Sequence, residues 1–258
     1  MRIATWNVNS LKVRMPRVEE WLDYARPDVL CVQETKLADQ AFPSLEISAL
    51  GYESAHHGDG QWNGVGILSR VGIEDVERGF PDSSGFDERG CRLVSATCGG
   101  VRVHSVYVPN GREVGSEHYA GKLDWLDGLH SHLRGRYSPS ESLAVCGDFN
   151  IAPEDTDVWA VTAFEGATHV TEPERSRLKA MEAWGLVDAF RAVRPESGLY
   201  SWWDYRGGAF HKGQGMRIDL VLLSSRLADR VTWAIVDRNA RKGPQPSDHA
   251  PVVVDFEV

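Results

Sequence analysis

Long apolar runs are missing from this chain of 258 residues, as are a surplus of positive charge, a cysteine framework and a glycine-rich phosphate loop. Nothing approaches the ~20 apolar residues that crossing a bilayer requires. Met1-Arg2-Ile3 leads straight into a strand-like segment rather than a signal peptide, so the expectation is a cytoplasmic protein with no membrane partner. The four cysteines, Cys31, Cys91, Cys98 and Cys146, show no CxxC spacing and no Cys/His cluster, which excludes the common zinc frameworks. Cys31 in DVLCVQE and Cys146 in LAVCGDFN lie within apolar runs, where buried free thiols are expected in a reducing compartment. No GxxxxGK[ST] stretch is present, and nothing supplies an activated Ser or Cys nucleophile.

With 28 Lys+Arg against 37 Asp+Glu the net charge is −9, which argues against a generic nucleic-acid binder. Basic residues nevertheless cluster in KVRMPR (12–17), ERSRLK (174–179) and DRNARKG (237–243). Net charge and local potential are different quantities, so solvated surface and a basic rim around an acidic site both fit.

What is present is an ordinary globular composition, 42% apolar and 25% charged. Short β-branched or aromatic segments bounded by Gly, Pro, Asn or Asp predict strands at 2–8, 28–33, 64–69, 91–97, 101–108, 142–147, 199–203, 217–224, 231–236 and 250–257. Helical spacing is rarer. Val18, Trp21, Leu22 and Ala25 share a face after a Ser10 N-cap, and the pattern stops before Pro27. Tyr119, Leu123, Leu126 and Leu133 repeat within 116–134, and Leu178, Met181 and Trp184 within 172–184, with Gly185 as the stop. Many strands, few helices and no linker suggest two packed sheets flanked by helices in one domain spanning 1–258.

Polar residues recur where strands end: Asn7 and Asn9, Glu34, Tyr107 and Asn110, Asp148 and Asn150, and Asp248-His249, with Asp219 set between apolar neighbours in MRIDLVLLS. Taken singly, each is turn chemistry, and PNG (109–111) is a turn signal in its own right. Asp219 resists that reading, because carboxylates are rarely buried without a partner. Together, acids, amides and one His at strand ends can converge on one edge of a sheet core. Carboxylate and amide oxygens suit Mg²⁺ or Mn²⁺, and such a set reads as hydrolysis of a phosphate ester by a metal-positioned water.

WNVNSL, QETKL, GVGILS, YVPNG, GDFN, RIDLVL and SDHAPV occur in the order seen in the endonuclease/exonuclease/phosphatase superfamily. With THVTEPER, WGLVDAFR and SWWDYR, the chain most resembles the exonuclease III-type abasic-site endonucleases, from residue 2 to about residue 256. FDERGCR (86–92) departs from the E-G-R pattern of that branch, and Asn9 stands where some relatives have Asp.

The resemblance implies an α/β fold, a four-layer sandwich of two mixed sheets between outer helices. It implies a monomer that cuts duplex DNA 5′ to abasic sites with Mg²⁺ (or Mn²⁺), and trims or repairs damaged 3′ ends; in a bacterium it would associate with the nucleoid. The alternative is a superfamily phosphatase acting on inositol phosphates or another small phosphoester. By the same resemblance, Asn7, Glu34, Asp148, Asn150 and Asp248 surround the metal. Asp148 orients or deprotonates water, Asn150 bonds the phosphate or that water, Asp219 orients His249, and Tyr107 lies near the leaving oxygen. Trp202, Met216 and Ile218 wall a pocket for a base-free sugar. Trp203 goes to the core, and Asn9, Asn110, Arg92, Arg112 and the 174–179 cluster face the substrate.

Overall fold

The computed structural model describes residues 1–80 and 90–258, so residues 86–89 of the FDERGCR stretch lie outside the described residues. Strands are numbered along the chain. One six-stranded sheet runs β13 (Val231–Val236), β14 (Val252–Phe256), β1 (Arg2–Asn7), β2 (Val29–Gln33), β4 (Val65–Ser69) and β3 (Glu53–His57). The second runs β5 (Glu74–Arg78), β6 (Leu93–Cys98), β7 (Val101–Tyr107), β8 (Leu143–Asp148), β12 (Asp219–Ser224) and β9 (Leu186–Asp188). Each is mixed: β1 pairs parallel with β2, and β7 parallel with β8, while the other pairings are antiparallel.

Helix α1 (Leu11–Ala25) packs Val18, Trp21 and Leu22 against Ala4, Trp6, Leu30 and Val253 on the outer face of the first sheet, joined by Ile47 of α2 (Ser44–Ala49). Helices α3 (Glu117–Arg136) and α4 (Glu172–Trp184) pack Leu126, Leu129, Leu133, Leu178 and Met181 against Val106, Leu143, Val145 and Leu222 on the outer face of the second. Between the sheets Ile3, Cys31, Val103, Cys146, Val221 and Val254 form a third apolar layer. Strand β8 shows how the sequence builds this: Leu143 and Val145 face helices while Ala144 and Cys146 face the other sheet. Central strands buried on both faces therefore read as unbroken apolar runs. Each full burial of a Leu, Val or Trp contributes roughly 1.5–3 kcal/mol. The four-layer sandwich follows from these contacts.

The structure departs from the sequence reading mainly at edges. The strands Glu53–His57 and Glu74–Arg78 were not predicted; they are edge strands whose charged and polar residues carry no apolar alternation. The strand predicted at 199–203 contracts to β10 (Trp202–Trp203), paired with β11 (Gly215–Met216). Ser10 precedes α1 but does not cap it: its φ is 85°, and its amide donates to the Glu34 carbonyl at 2.7 Å. Helix α4 starts instead with a capping box between Thr171 and Glu174 and stops at Gly185. Among the described residues no helix is long and apolar enough to cross a membrane.

Candidate active site

The antiparallel register between β8 and β12 sets Asp148 opposite Asp219, and the parallel register between β7 and β8 sets Tyr107 opposite Asp148. Strands β1 and β2 end beside them at Asn7 and Gln33. The close approach of β8 to β7 needs glycine before Asp148, because a Cβ at Gly147 would lie 1.9 Å from the Val106 carbonyl oxygen. The His249 segment is pinned from both sides. Ser247 Oγ donates to the Asn7 carbonyl at 2.6 Å, Trp6 Nε1 donates to the His249 carbonyl at 3.2 Å, and Trp202 bridges to His249.

The polar groups form one network. Asn7 Nδ2 donates to Glu34 Oε1 at 2.8 Å and to Asp148 Oδ2 at 2.9 Å, so the amide acts as a donor between two carboxylates. Its own oxygen accepts the Asn9 amide at 3.0 Å. Lys36 Nζ reaches Glu34 Oε2 at 3.0 Å and donates to Asn9 Oδ1 at 2.6 Å, while Asn9 Nδ2 donates to Asp248 Oδ1 at 3.0 Å. Trp202 Nε1 takes the other Asp248 oxygen at 3.1 Å. Asp148 Oδ1 accepts the Asn150 amide at 2.9 Å, and Asn150 Oδ1 accepts from Asn110 Nδ2 at 3.2 Å.

His249 Nδ1 lies 2.9 Å from Asp219 Oδ2, and its Nε2 is 3.8 Å from Asp148 Oδ2. Asp219 is fully buried, and Ser201 Oγ holds Oδ2 at 2.6 Å. A carboxylate on Nδ1 leaves Nε2 as the ring nitrogen facing the cleft. Burial disfavours the imidazolium, but Asp219 above all, then Asp148 and Asp248, push its pKa up to about 10. Burial pushes the Asp148 carboxyl up to about 7, with the nearby imidazolium opposing. Asp248 goes the other way: burial would raise it, but His249, Asn9 and Trp202 hold it below the usual carboxylate range. Burial and the Glu34 and Asp148 charges keep the Tyr107 phenol well above its ordinary value, hence protonated.

Backbone strain gathers here as well. Asn9, Glu34, Asn150 and His169 all have left-handed φ, at 44°, 50°, 52° and 82°. Such residues cost roughly 1 kcal/mol or more each and cluster where function constrains the chain.

Glu34, Asp148 and His249 offer atoms within 4.8 Å of one another, the one such group among the described residues. Four carboxylates (Glu34, Asp148, Asp219, Asp248) in one network leave negative charge that His249 and Lys36 do not fully offset. Hard oxygen donors fit a hard divalent cation, and an imidazole held protonated by Asp219 is not a metal ligand. Glu34 and Asp148 are the carboxylates whose oxygens come together there, with Asn7 Nδ2 donating to both.

The expected substrate residues fall into two groups. Trp202 is half-buried and packs on Met216 and Ile218, which are 1% and 2% exposed and close a small cluster with Ala152 and Val158. Trp203 enters the core between the sheets. Arg92 stands over the Tyr107 ring at 4.6 Å, with Nη1 donating to the Tyr107 carbonyl at 3.1 Å. Asn110 and Arg112 are exposed at the rim, where Arg112 meets His118 at 2.9 Å.

The 174–179 cluster is not a free basic patch: Glu174 is buried, Arg175 binds Ala152 O and Asp155, and Arg177 binds Asp127. The other two basic clusters meet beside the site. Arg17 donates to the carbonyls of Ala240 and Lys242, and Arg14 to those of Asn9 and Pro246.

Sequence reasoning missed Ser201, Ser247, Lys36 and His169. Lys36 lies two residues after Glu34 in QETKL, Ser247 precedes Asp248 in SDHAPV, His169 lies in THVTEPER and Ser201 opens SWWDYR, so motif membership was an available signal for all four.

Residues 4–249 match the Endonuclease/Exonuclease/phosphatase family. Exodeoxyribonuclease III of Haemophilus influenzae is 30% identical over 272 residues, with both chains covered completely. A solved AP endonuclease from Archaeoglobus fulgidus superposes with TM-score 0.96 at 37% identity over all of both chains. A 3′ phosphatase from Neisseria, bound to a product DNA hairpin, does so with TM-score 0.95 at 37% identity, again over all of both chains.

Proposed function

The chain belongs to the endonuclease/exonuclease/phosphatase family, and we propose that it is a DNA repair nuclease, acting as a single-domain monomer over residues 1–258. It is metal-dependent, with Mg²⁺ as the working ion, and cuts duplex DNA on the 5′ side of abasic sites. Full-length similarity to an exodeoxyribonuclease III and to an AP endonuclease supports this reading. The observation that carries it is His249 held between Asp219 at 2.9 Å and Asp148 at 3.8 Å, next to Glu34.

Each residue then has a task. Glu34, Asp248 and Asp148 would hold the cation; when bound, Mg²⁺ would supply Lewis-acid stabilisation of the negative charge that grows on the phosphoryl oxygens. Asp148 orients the attacking water and takes its proton. His249 is kept cationic by Asp219 and presents Nε2 to the phosphate, where a fixed positive donor stabilises the transition state. Asn150 and Asn110 place amides at the phosphate. Tyr107, protonated and braced by Arg92, donates toward the leaving oxygen. Trp202, Met216 and Ile218 offer an apolar wall to a base-free sugar, and the rim of Arg14, Arg17 and the 238–242 turn supports phosphates along the duplex.

A second reading acts on 3′-terminal phosphoesters, favoured by the 0.95 TM-score to the Neisseria 3′ phosphatase. One experiment tests both. Duplexes carrying either an internal abasic analogue or a 3′-phosphate are incubated with Mg²⁺ or with EDTA. Incision at the analogue with Mg²⁺ alone supports the first reading, and release of terminal phosphate alone supports the second. Hydrolysis of inositol phosphates with both duplexes untouched would overturn the nuclease assignment.

A further inference from the structure

Behind the site, Lys122 on α3 and Glu174 on α4 are both fully buried and form an ion pair that the mechanism does not use. Their other bonds lead to the site. Lys122 Nζ donates to the Asn150 carbonyl at 2.7 Å and to the Asn110 carbonyl at 3.3 Å. Glu174 accepts the amides of His169 at 3.0 Å and Thr171 at 3.1 Å. His169 Nδ1 then donates to the same Asn150 carbonyl. One ion pair thus ties down the backbone of two site amides and of the strap that lies across them.

Stability alone is a poor reason for such a pair. Desolvation offsets most of the attraction between buried charges, and well-packed apolar residues of similar volume do as well or better. Burial opposes both charges and lowers the Lys122 pKa, yet Lys122 still holds the Glu174 carboxyl below its ordinary range. What apolar residues cannot supply is an ammonium aimed at two carbonyls. Asn150 needs that restraint: its φ is 52°, and its side chain must satisfy Val108 O at 3.0 Å and Asn110 Nδ2 at 3.2 Å together. Misplacement of a reacting geometry by 1 Å can cost about 10²-fold in rate.

We propose that Lys122 and Glu174 are a positioning pair for phosphoester hydrolysis, fixing the main chain of Asn150 and Asn110 so that their amides meet the phosphate. The proposal rests on the nuclease reading of the site.

The test replaces the pair by apolar residues of similar volume, Lys122→Met with Glu174→Leu, and compares it with Glu174→Gln, which keeps an acceptor for the His169 and Thr171 amides. The double variant is expected to melt near the wild type, with kcat on duplex DNA reduced by roughly 10- to 100-fold and KM within about two-fold. Glu174→Gln should fall between the two at unchanged KM. A folded double variant with kcat within about two-fold of wild type, or one whose loss lies wholly in KM, overturns the proposal. Should the double variant not fold, the kcat of Glu174→Gln decides in the same way. If the wild type leaves DNA uncut, the nuclease reading falls, and the same kcat ratios on bis(p-nitrophenyl) phosphate still decide the role of the pair.

Discussion

Asp219 lies opposite Asp148 in the strand register, yet its carboxylate turns to the imidazole of His249, 2.9 Å from Nδ1. Two buried acids on neighbouring strands are thereby given different work: one faces the cleft and the other is sealed behind a histidine with Ser201. Environment rather than residue type separates their roles.

That separation predicts the behaviour of His249. With its pKa pushed to about 10 by Asp219, the ring stays charged across pH 5–8 in the metal-free protein. Its ring-nitrogen NMR shifts should therefore stay those of an imidazolium over this range, with only a small displacement as the neighbouring Asp148 carboxyl, pushed up to about 7, titrates. In Asp219→Asn the raising partner is gone while burial remains, so the ring should lose its proton within or below that range. Cleavage should fall roughly 10²- to 10³-fold, the scale of losing one electrostatic stabiliser. A titrating wild-type ring, or an Asp219→Asn variant of normal rate, would remove Asp219 from its assigned task.

Metal binding should be visible without turnover. Clustered carboxylates repel one another in the metal-free protein, and a cation that binds only the folded state stabilises it by mass action. At [Mg²⁺] near 100 Kd the gain is about 2.7 kcal/mol. Thermal melts should rise with Mg²⁺ or Mn²⁺ and return with EDTA, and Glu34→Gln should lose most of this response while folding normally. An undiminished metal response in Glu34→Gln would move the ion elsewhere.

How far the sequence could be read divides along burial. Central strands and their polar ends were legible because burial on both faces selects apolar residues, so a carboxylate such as Asp219 stands out against Leu220 and Ile218. Edge strands such as Glu74–Arg78 were not, since exposure leaves their composition free. Site chemistry followed the same rule. Asp148, Asp219 and His249 could be seen as acids and a base at strand ends. Ser201 and Glu174 lie within SWWDYR and THVTEPER, but the contacts through which they act, with Asp219 and with Lys122, join distant segments that no local pattern pairs. Arg175 and Arg177 looked like a basic patch because sequence does not reveal that Asp155 and Asp127 face them.

Trp202 joins the acidic network to a small apolar cluster, since its indole N–H binds Asp248 while its ring packs on Met216 and Ile218. Trp202→Ala should therefore weaken the preference for abasic over intact duplex by roughly 10-fold or more, on the scale of one aromatic stacking contact of ~1–3 kcal/mol. The stability change should be smaller than for Trp203→Ala, whose ring is 1% exposed in the core. Unchanged discrimination with a large loss of stability would return Trp202 to a packing role.

Acid stability should report a histidine far from the chemistry. His104 in β7 is fully buried beneath α3, beside His132 and Tyr137 at ring distances of 5.9 Å and 5.1 Å. Burial first, then the charges of His132, Arg102 and Arg136, push its pKa well below 6.5. The unfolded chain binds a proton at His104 near pH 6.5, whereas the folded one does not. Unfolding therefore takes up a proton in this window, and stability rises with pH. The contribution is complete above pH ~6.5 and is lost progressively as pH falls toward the folded-state value, with a slope approaching about 1.4 kcal/mol per pH unit. Urea midpoints at pH 7.5, 6.5 and 5.5 should fall more steeply for wild type than for His104→Phe, which cannot titrate. Comparing the two proteins at each pH cancels the contribution of the other histidines, so parallel curves would mean that His104 is protonated in the folded state.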